Sequence, residues 1–179
     1  MTGMDMPHRF AGRVPPGVVP VVPAAGQESV WDYPRPPRVE PVDSRIRVVI
    51  DGETIVDSRR AVRVLETSHP PVYYVPMADI RASALKPANG SSVCEWKGVA
   101  SYWSIVTPRR RVERAAWSYR DPSPGFEAIA GHVAFYAGPV DEAWVGDEQV
   151  APQPGGFYGG WVTSSIVGPV KGEPGSWGW

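Results

Sequence analysis

The sequence predicts an all-β fold of antiparallel sheets, and three observations lead there. Short apolar segments recur at close spacing, separated by Gly, Pro, Asn and Asp, which is the pattern of strands joined by turns. Pro (21) and Gly (19) are both abundant in 179 residues, and both break helices. Trp occurs 8 times, and its large ring suits half-buried pleated surfaces and ligand pockets. The length fits one domain with a real core.

Taken in order, residues 1–43 read as an extended Pro-rich arm. VPPGVVPVVPAAG has too many prolines for a helix or a central strand, so it is expected as a polyproline-like segment, mobile before about Gln27. Trp31 and Tyr33 set the rest of the arm apart, because two large aromatics in an extended segment dock on something.

Residues 44–150 form the expected β domain. Arg45–Ile50 alternates, Asp51-Gly52 turns the chain, and Glu53–Val56 returns, a strong hairpin signal. Ala61–Leu65 and Val72–Val75 are the next strands, the second bounded by prolines. Met77–Leu85 fits one or two helical turns, with Asp79 near their start. Val93–Trp96, Val99–Val106 and Val112–Ser118 follow as strands, and Arg109–Arg111 reads as a solvated hairpin tip. Phe126–Ala130 is a short helical turn, and Val133–Tyr136 and Glu142–Val145 are the last strands.

Residues 151–179 are Gly-rich yet hold Phe157, Tyr158, Trp161, Trp177 and Trp179. Exposing that much aromatic surface invites aggregation. This tail is expected to pack on the domain, close over a pocket or meet a second subunit, so the arm and the tail are the surfaces through which a homodimer would form.

Bulk properties exclude several classes. A net charge of -1, from 18 basic and 19 acidic residues, argues against a general nucleic-acid surface. One cysteine excludes an internal disulfide, and three scattered histidines (His8, His69, His132) form no metal-ligand doublet, so no metal or other cofactor is expected. No segment approaches the about 20 apolar residues of a membrane span, and the N-terminus has no apolar signal core. A cytoplasmic protein is the expectation.

The chemistry concentrates between Glu66 and Trp103. Glu66 and His69 end one strand, where a carboxylate can orient an imidazole as a general base; the alternative is a turn cap and an exposed loop histidine. Tyr73 and Tyr74 point to opposite faces of their strand, as do Tyr102 and Trp103. Cys94 is either a nucleophile activated by Lys97 or His69, or a small buried hydrophobe. The Gly98 turn lets Lys97 fold back. Gly155–Gly160 lacks the spacing and strand-to-helix context of a phosphate loop, and no GxSxG elbow is present. Nucleotidyl transfer calls for alternating carboxylates that hold Mg²⁺. Asp141-Glu142 is adjacent rather than alternating, and Asp51 and Glu53 sit at a hairpin turn.

The phrases LETSHPPVYYVP (65–76), CEWKG (94–98), ASYW (100–103), AWSY (116–119) and AFY (134–136) resemble those of a bacterial family, domain of unknown function 427, with the legacy label nucleotidyltransferase family nine. The arm VWDYPRPP and the tail resemble longer actinobacterial members. The resemblance implies a compact fold of strongly bent antiparallel sheets, called a β-tent, and its label implies nucleotide binding. Many members read CPYKG where this chain has Glu95 and Trp96, which alters the pocket rim.

The resulting expectation is a small-molecule-binding protein with an aromatic-lined pocket, favoured as a cofactor-independent acid-base enzyme of lyase, isomerase or hydrolase type. Glu66, His69, Tyr74, Lys97 and Tyr102 are the expected catalytic groups. Tyr73, Cys94, Trp103, Trp117 and Tyr119 are the expected substrate-binding groups. A non-catalytic ligand- or peptide-binding module and a nucleotide-binding protein are the alternatives.

Overall fold

The computed structural model describes residues 14–179. Two bent antiparallel sheets dominate, and neither closes into a barrel. The first hairpin pairs β3 (Ile46–Ile50) with β4 (Glu53–Ser58). Asp51 (φ 52°) and Gly52 (φ 75°) both take positive φ in its two-residue turn, the geometry that matches the strands' own twist. β11 (Glu142–Val145) and β12 (Glu148–Gln149) extend this sheet in the order β12-β11-β3-β4.

The larger sheet has seven strands. It contains β2 (Arg38–Pro41), β5 (Val62–Leu65), β6 (Val72–Pro76), β7 (Leu85–Cys94), β8 (Gly98–Val106), β9 (Arg111–Tyr119) and β10 (His132–Phe135). Their order is β2-β5-β6-β10-β9-β8-β7. The expected helical turns are short 3₁₀ turns at Met77–Asp79, Ala82–Ala84 and Glu127–Ile129.

Strand alternation gives this sheet two apolar faces. One packs against the smaller sheet through Ile46, Val48, Ile50, Val56, Tyr73, Val75 and Phe135. The other carries Val64, Tyr74, Ala100, Trp117, Tyr119 and Ala134. That second aromatic face is where the cavity forms.

Two differences from the sequence reading concern the termini. The partly docked arm ends sooner than residue 43, because β2 is already an edge strand of the large sheet, paired with β5 from Arg38 to Pro41. Nor does the segment ahead of Gln27 lie wholly free: Val14 and Val18 pack on the cluster of Val30, Trp31, Tyr33 and Ile166, and the Val21 amide donates to Gly168 O at 2.8 Å. Residues 1–13 of the expected mobile segment lie outside the described residues.

The tail returns along the arm. β1 (Glu28–Ser29) pairs in parallel with β15 (Ile166–Val167), and β13 (Ala151–Pro152) pairs with β14 (Trp161–Val162). Trp161 is 2% exposed, stacks at 5.3 Å on Tyr73, and donates through Nε1 to Phe135 O at 2.9 Å. The tail is therefore integral to the core. Trp177 stays exposed.

Arg109–Arg111 forms the tip of the β8–β9 hairpin. Its side chains are exposed as expected, and Arg110 in addition bridges Asp51 (3.1 Å) and Asp141 (2.7 Å), tying the β8–β9 hairpin tip to the smaller sheet. One carboxylate of each pair weighed as metal ligands, Asp51 and Asp141, is thus held by a guanidinium. Among the described residues, no three His, Cys, Asp or Glu side chains group as metal ligands.

Candidate functional site

The site begins with the tight turn Glu66–His69 after β5. The His69 amide donates to Glu66 O at 3.0 Å, and Ser68 takes a positive φ of 71°. That conformation is strained for a residue with a Cβ, and it persists because neighbours on both sides hold it. From the arm, Arg35 donates to Thr67 O at 3.1 Å and Val30 O accepts the Ser68 amide at 3.0 Å. From the tail, the Lys171 amide donates to Ser68 O at 2.8 Å. Arm and tail together present Glu66 and His69 to the aromatic face.

A cavity of about 420 Å³ opens there, within the range of small-molecule sites. Glu66, His69, Tyr74, Lys97 and Tyr102 all line it, as do Cys94, Trp117 and Tyr119. Strand register explains the convergence: Tyr102 faces Trp117 across β8 and β9, and Tyr119 lies two residues further along the same side.

Tyr73 and Trp103 do not line this cavity, contrary to the sequence expectation. Tyr73 alternates with Tyr74 and packs in the inter-sheet core on Trp161. Trp103 pairs with Ala116 on that same opposite face, and its Nε1 donates to Ser118 Oγ at 2.9 Å. Turning Trp103 inward required a bulge before it. The β8–β9 register shift instead falls between Trp103 and Ile105, one step too late.

The expected Glu66–His69 couple is also absent. Glu66 pairs with Arg35 at 3.2 Å. Gln153 orients His69 instead. Its Oε1 accepts the Gly160 amide at 3.0 Å, which fixes Nε2 as the donor to both Lys171 O (2.8 Å) and His69 Nδ1 (3.1 Å). Nδ1 therefore accepts, and the neutral ring carries its proton on Nε2. Burial, reinforced by the positive charges of Lys171, Arg35 and Lys97, lowers the imidazole pKa to about 3. His69 is thus a hydrogen-bond donor rather than the free base expected of it.

The phenols are also donors. Tyr74 is fully buried and accepts from Trp117 Nε1 at 3.4 Å. Burial raises the pKa of both Tyr74 and Tyr119, so both keep their protons at any physiological pH. Tyr102 donates to Ser92 Oγ at 3.0 Å.

A tail closing over a pocket is among the expectations, but sequence reasoning assigns none of its residues to the site. Gln153, Phe157, Tyr158, Gly159, Lys171 and Trp179 come from the tail, and Arg35 from the arm. The glycines of the roof are there for contact. A Cβ on Gly159 would overlap the Trp117 ring, and one on Gly160 would run into Gln153 and the Pro70 backbone. Tyr158 meets the His69 ring edge-on at 4.8 Å, and Tyr136 lies 4.5 Å from Trp117. The signal in the sequence was the coincidence of paired glycines with aromatics.

Fold and site together define a small all-β protein of two bent sheets, with an aromatic cavity on the outer face of the larger one. The family model described as a domain of unknown function (DUF427) matches residues 38–146, and the chain belongs to that family. No curated protein matches it.

Proposed function

We propose that this protein binds a small organic molecule in the cavity above Tyr74, Trp117 and Tyr119, and that the chemistry there is cofactor-independent and of acid-base type. The observation that carries the reading is the convergence of Glu66, His69, Tyr74, Lys97 and Tyr102 on one 420 Å³ space roofed by a backbone that touches Trp117. Glu66, kept beside Arg35, is the candidate base. Tyr74 and His69 Nε2–H supply donors, and Lys97 supplies positive charge for a developing anion. Cys94 contributes a wall.

The experiment is a thermal-shift screen of metabolites on the intact chain, repeated on Cys94→Phe, whose ring fills the cavity. A ligand at 100 times its dissociation constant adds about 2.7 kcal/mol. Hits that vanish in the filled variant support the reading, and hits that survive there place binding elsewhere. Once a substrate is in hand, Glu66→Gln should abolish turnover while binding persists. A non-catalytic module is the conclusion if turnover is never seen with any bound hit.

A further inference from the structure

We infer that the ligand of this cavity is an organic anion with a planar aromatic body, met by Lys97 and Lys171. This rests on the proposed binding reading and names its substrate class.

Lys97 is 9% exposed and lines the cavity. A buried ammonium is ordinarily paired, because leaving water without a counter-charge is costly. Lys97 has no ion-pair partner among the described residues; its Nζ sits 5.7 Å from the Tyr119 ring centroid. Lys171 repeats the arrangement. Its Nζ lies 5.5 Å from the Tyr158 ring, but it also donates at 2.7 Å to O of Trp179, the last residue of the sequence, and so is already engaged. Of the two acids that line the space, Glu66 is already neutralised by Arg35, and Glu95 stands exposed at the rim. The interior therefore carries one ammonium without a carboxylate, Lys97, beside a second, Lys171, that Trp179 O holds in place. His69 registers the same field, since both lysines are among the charges that disfavour its protonation.

The ring faces argue for the same sign. An aromatic cage for a ligand cation needs free π-faces. Here Lys97 occupies Tyr119, Lys171 occupies Tyr158 and Arg114 lies 4.3 Å over Tyr102. A cation would find these three rings already capped and two like charges beside it. A carboxylate, phosphate or enolate would find two ammoniums, the His69 Nε2–H, and the Trp117 and Tyr136 rings, tilted 46° to each other, for its body.

The test uses three isosteric probes on the intact chain: 2-naphthoate, 2-naphthamide and 2-naphthylmethylammonium, each titrated by calorimetry. Naphthoate should bind at least about tenfold more tightly than naphthamide, or about 1.4 kcal/mol, with the ammonium weakest. Added salt should weaken naphthoate alone. Lys97→Met should shrink the naphthoate preference while Lys97→Arg retains it, and Lys171→Met provides an independent reading from the tail. Equal affinities for naphthoate and naphthamide overturn the inference and leave the aromatic cavity standing. So does a preference that survives in the Lys97→Met/Lys171→Met double variant. Failure of all three probes to bind removes the binding reading itself, and this inference with it.

Discussion

Acidification should destabilise this fold through His69. Its pKa is held near 3 in the folded chain, against about 6.5 in an unfolded one. Because the folded value is the lower, the stability contributed by the neutral ring is full above about pH 6.5 and is lost as pH falls towards 3. Between about pH 7 and pH 5 the unfolded chain takes up almost one proton that the folded chain refuses, so stability falls by about 2 kcal/mol. For a chain of this size that is a fall in melting temperature of about 4–8 °C. The shifted carboxyls of Asp57, Asp79 and Asp141 all have lowered pKa values, so their contributions fade only below the ordinary carboxylate range. The window from 6.5 to 5 belongs to histidine. The assay is urea unfolding at several pH values, on the native chain and on His69→Asn, whose side-chain oxygen still accepts from Gln153 but does not titrate. The native-minus-variant difference should grow as pH drops. A difference flat across that window, or a His69 ring signal titrating near 6.5 by NMR, would refute the reasoning.

Further outcomes follow from particular contacts. Trp161→Ala removes a 2%-exposed ring and its bond to Phe135 O, and should cost about 3–5 kcal/mol in denaturant unfolding. Gly159→Val should lift the roof off Trp117, seen as a red-shifted tryptophan emission and faster amide exchange over residues 153–160, with the inter-sheet core still protected. Arg63 joins Glu28 to Glu40, so Arg63→Met should leave two facing carboxylates and lower stability by about 1–3 kcal/mol, with exchange rising first in β1 and β2. Deleting residues after Pro152 should lower the melting temperature by well over several degrees, because Trp161 leaves with them.

Local signals made most strands readable, and non-local ones hid the rest. The Asp51-Gly52 hairpin and the proline-bounded Val72–Pro76 strand announce themselves in a few residues. The first half of β7 does not. Lys86-Pro87-Ala88-Asn89-Gly90 looks like a loop, yet it runs as an edge strand whose irregular pairing between Pro87 and Ser91 absorbs the proline. The same limit governs the site. Alternation correctly separates Tyr73 from Tyr74, but no pattern in the chain tells which face the tail will roof. Gln153 and Lys171 lie about a hundred residues or fewer from the His69 they surround, and only the closed fold brings them there.

The boundaries of the family match carry a consequence for how such a protein diversifies. The matched region spans 38–146, while Arg35, Gln153, Tyr158 and Lys171 all stand outside it. The sheets supply a floor of rings with Glu66 and Lys97, and the two flanking segments add Arg35 and Lys171, the roof and the partner that sets the histidine tautomer. The flanks are also part of the folding core, through Trp161 between the sheets and through Val30, Trp31, Tyr33 and Ile166 on Leu65. Grafting a different pair of flanks onto the same floor would change the roof and rim while leaving β3, β4 and β11 of the smaller sheet in place.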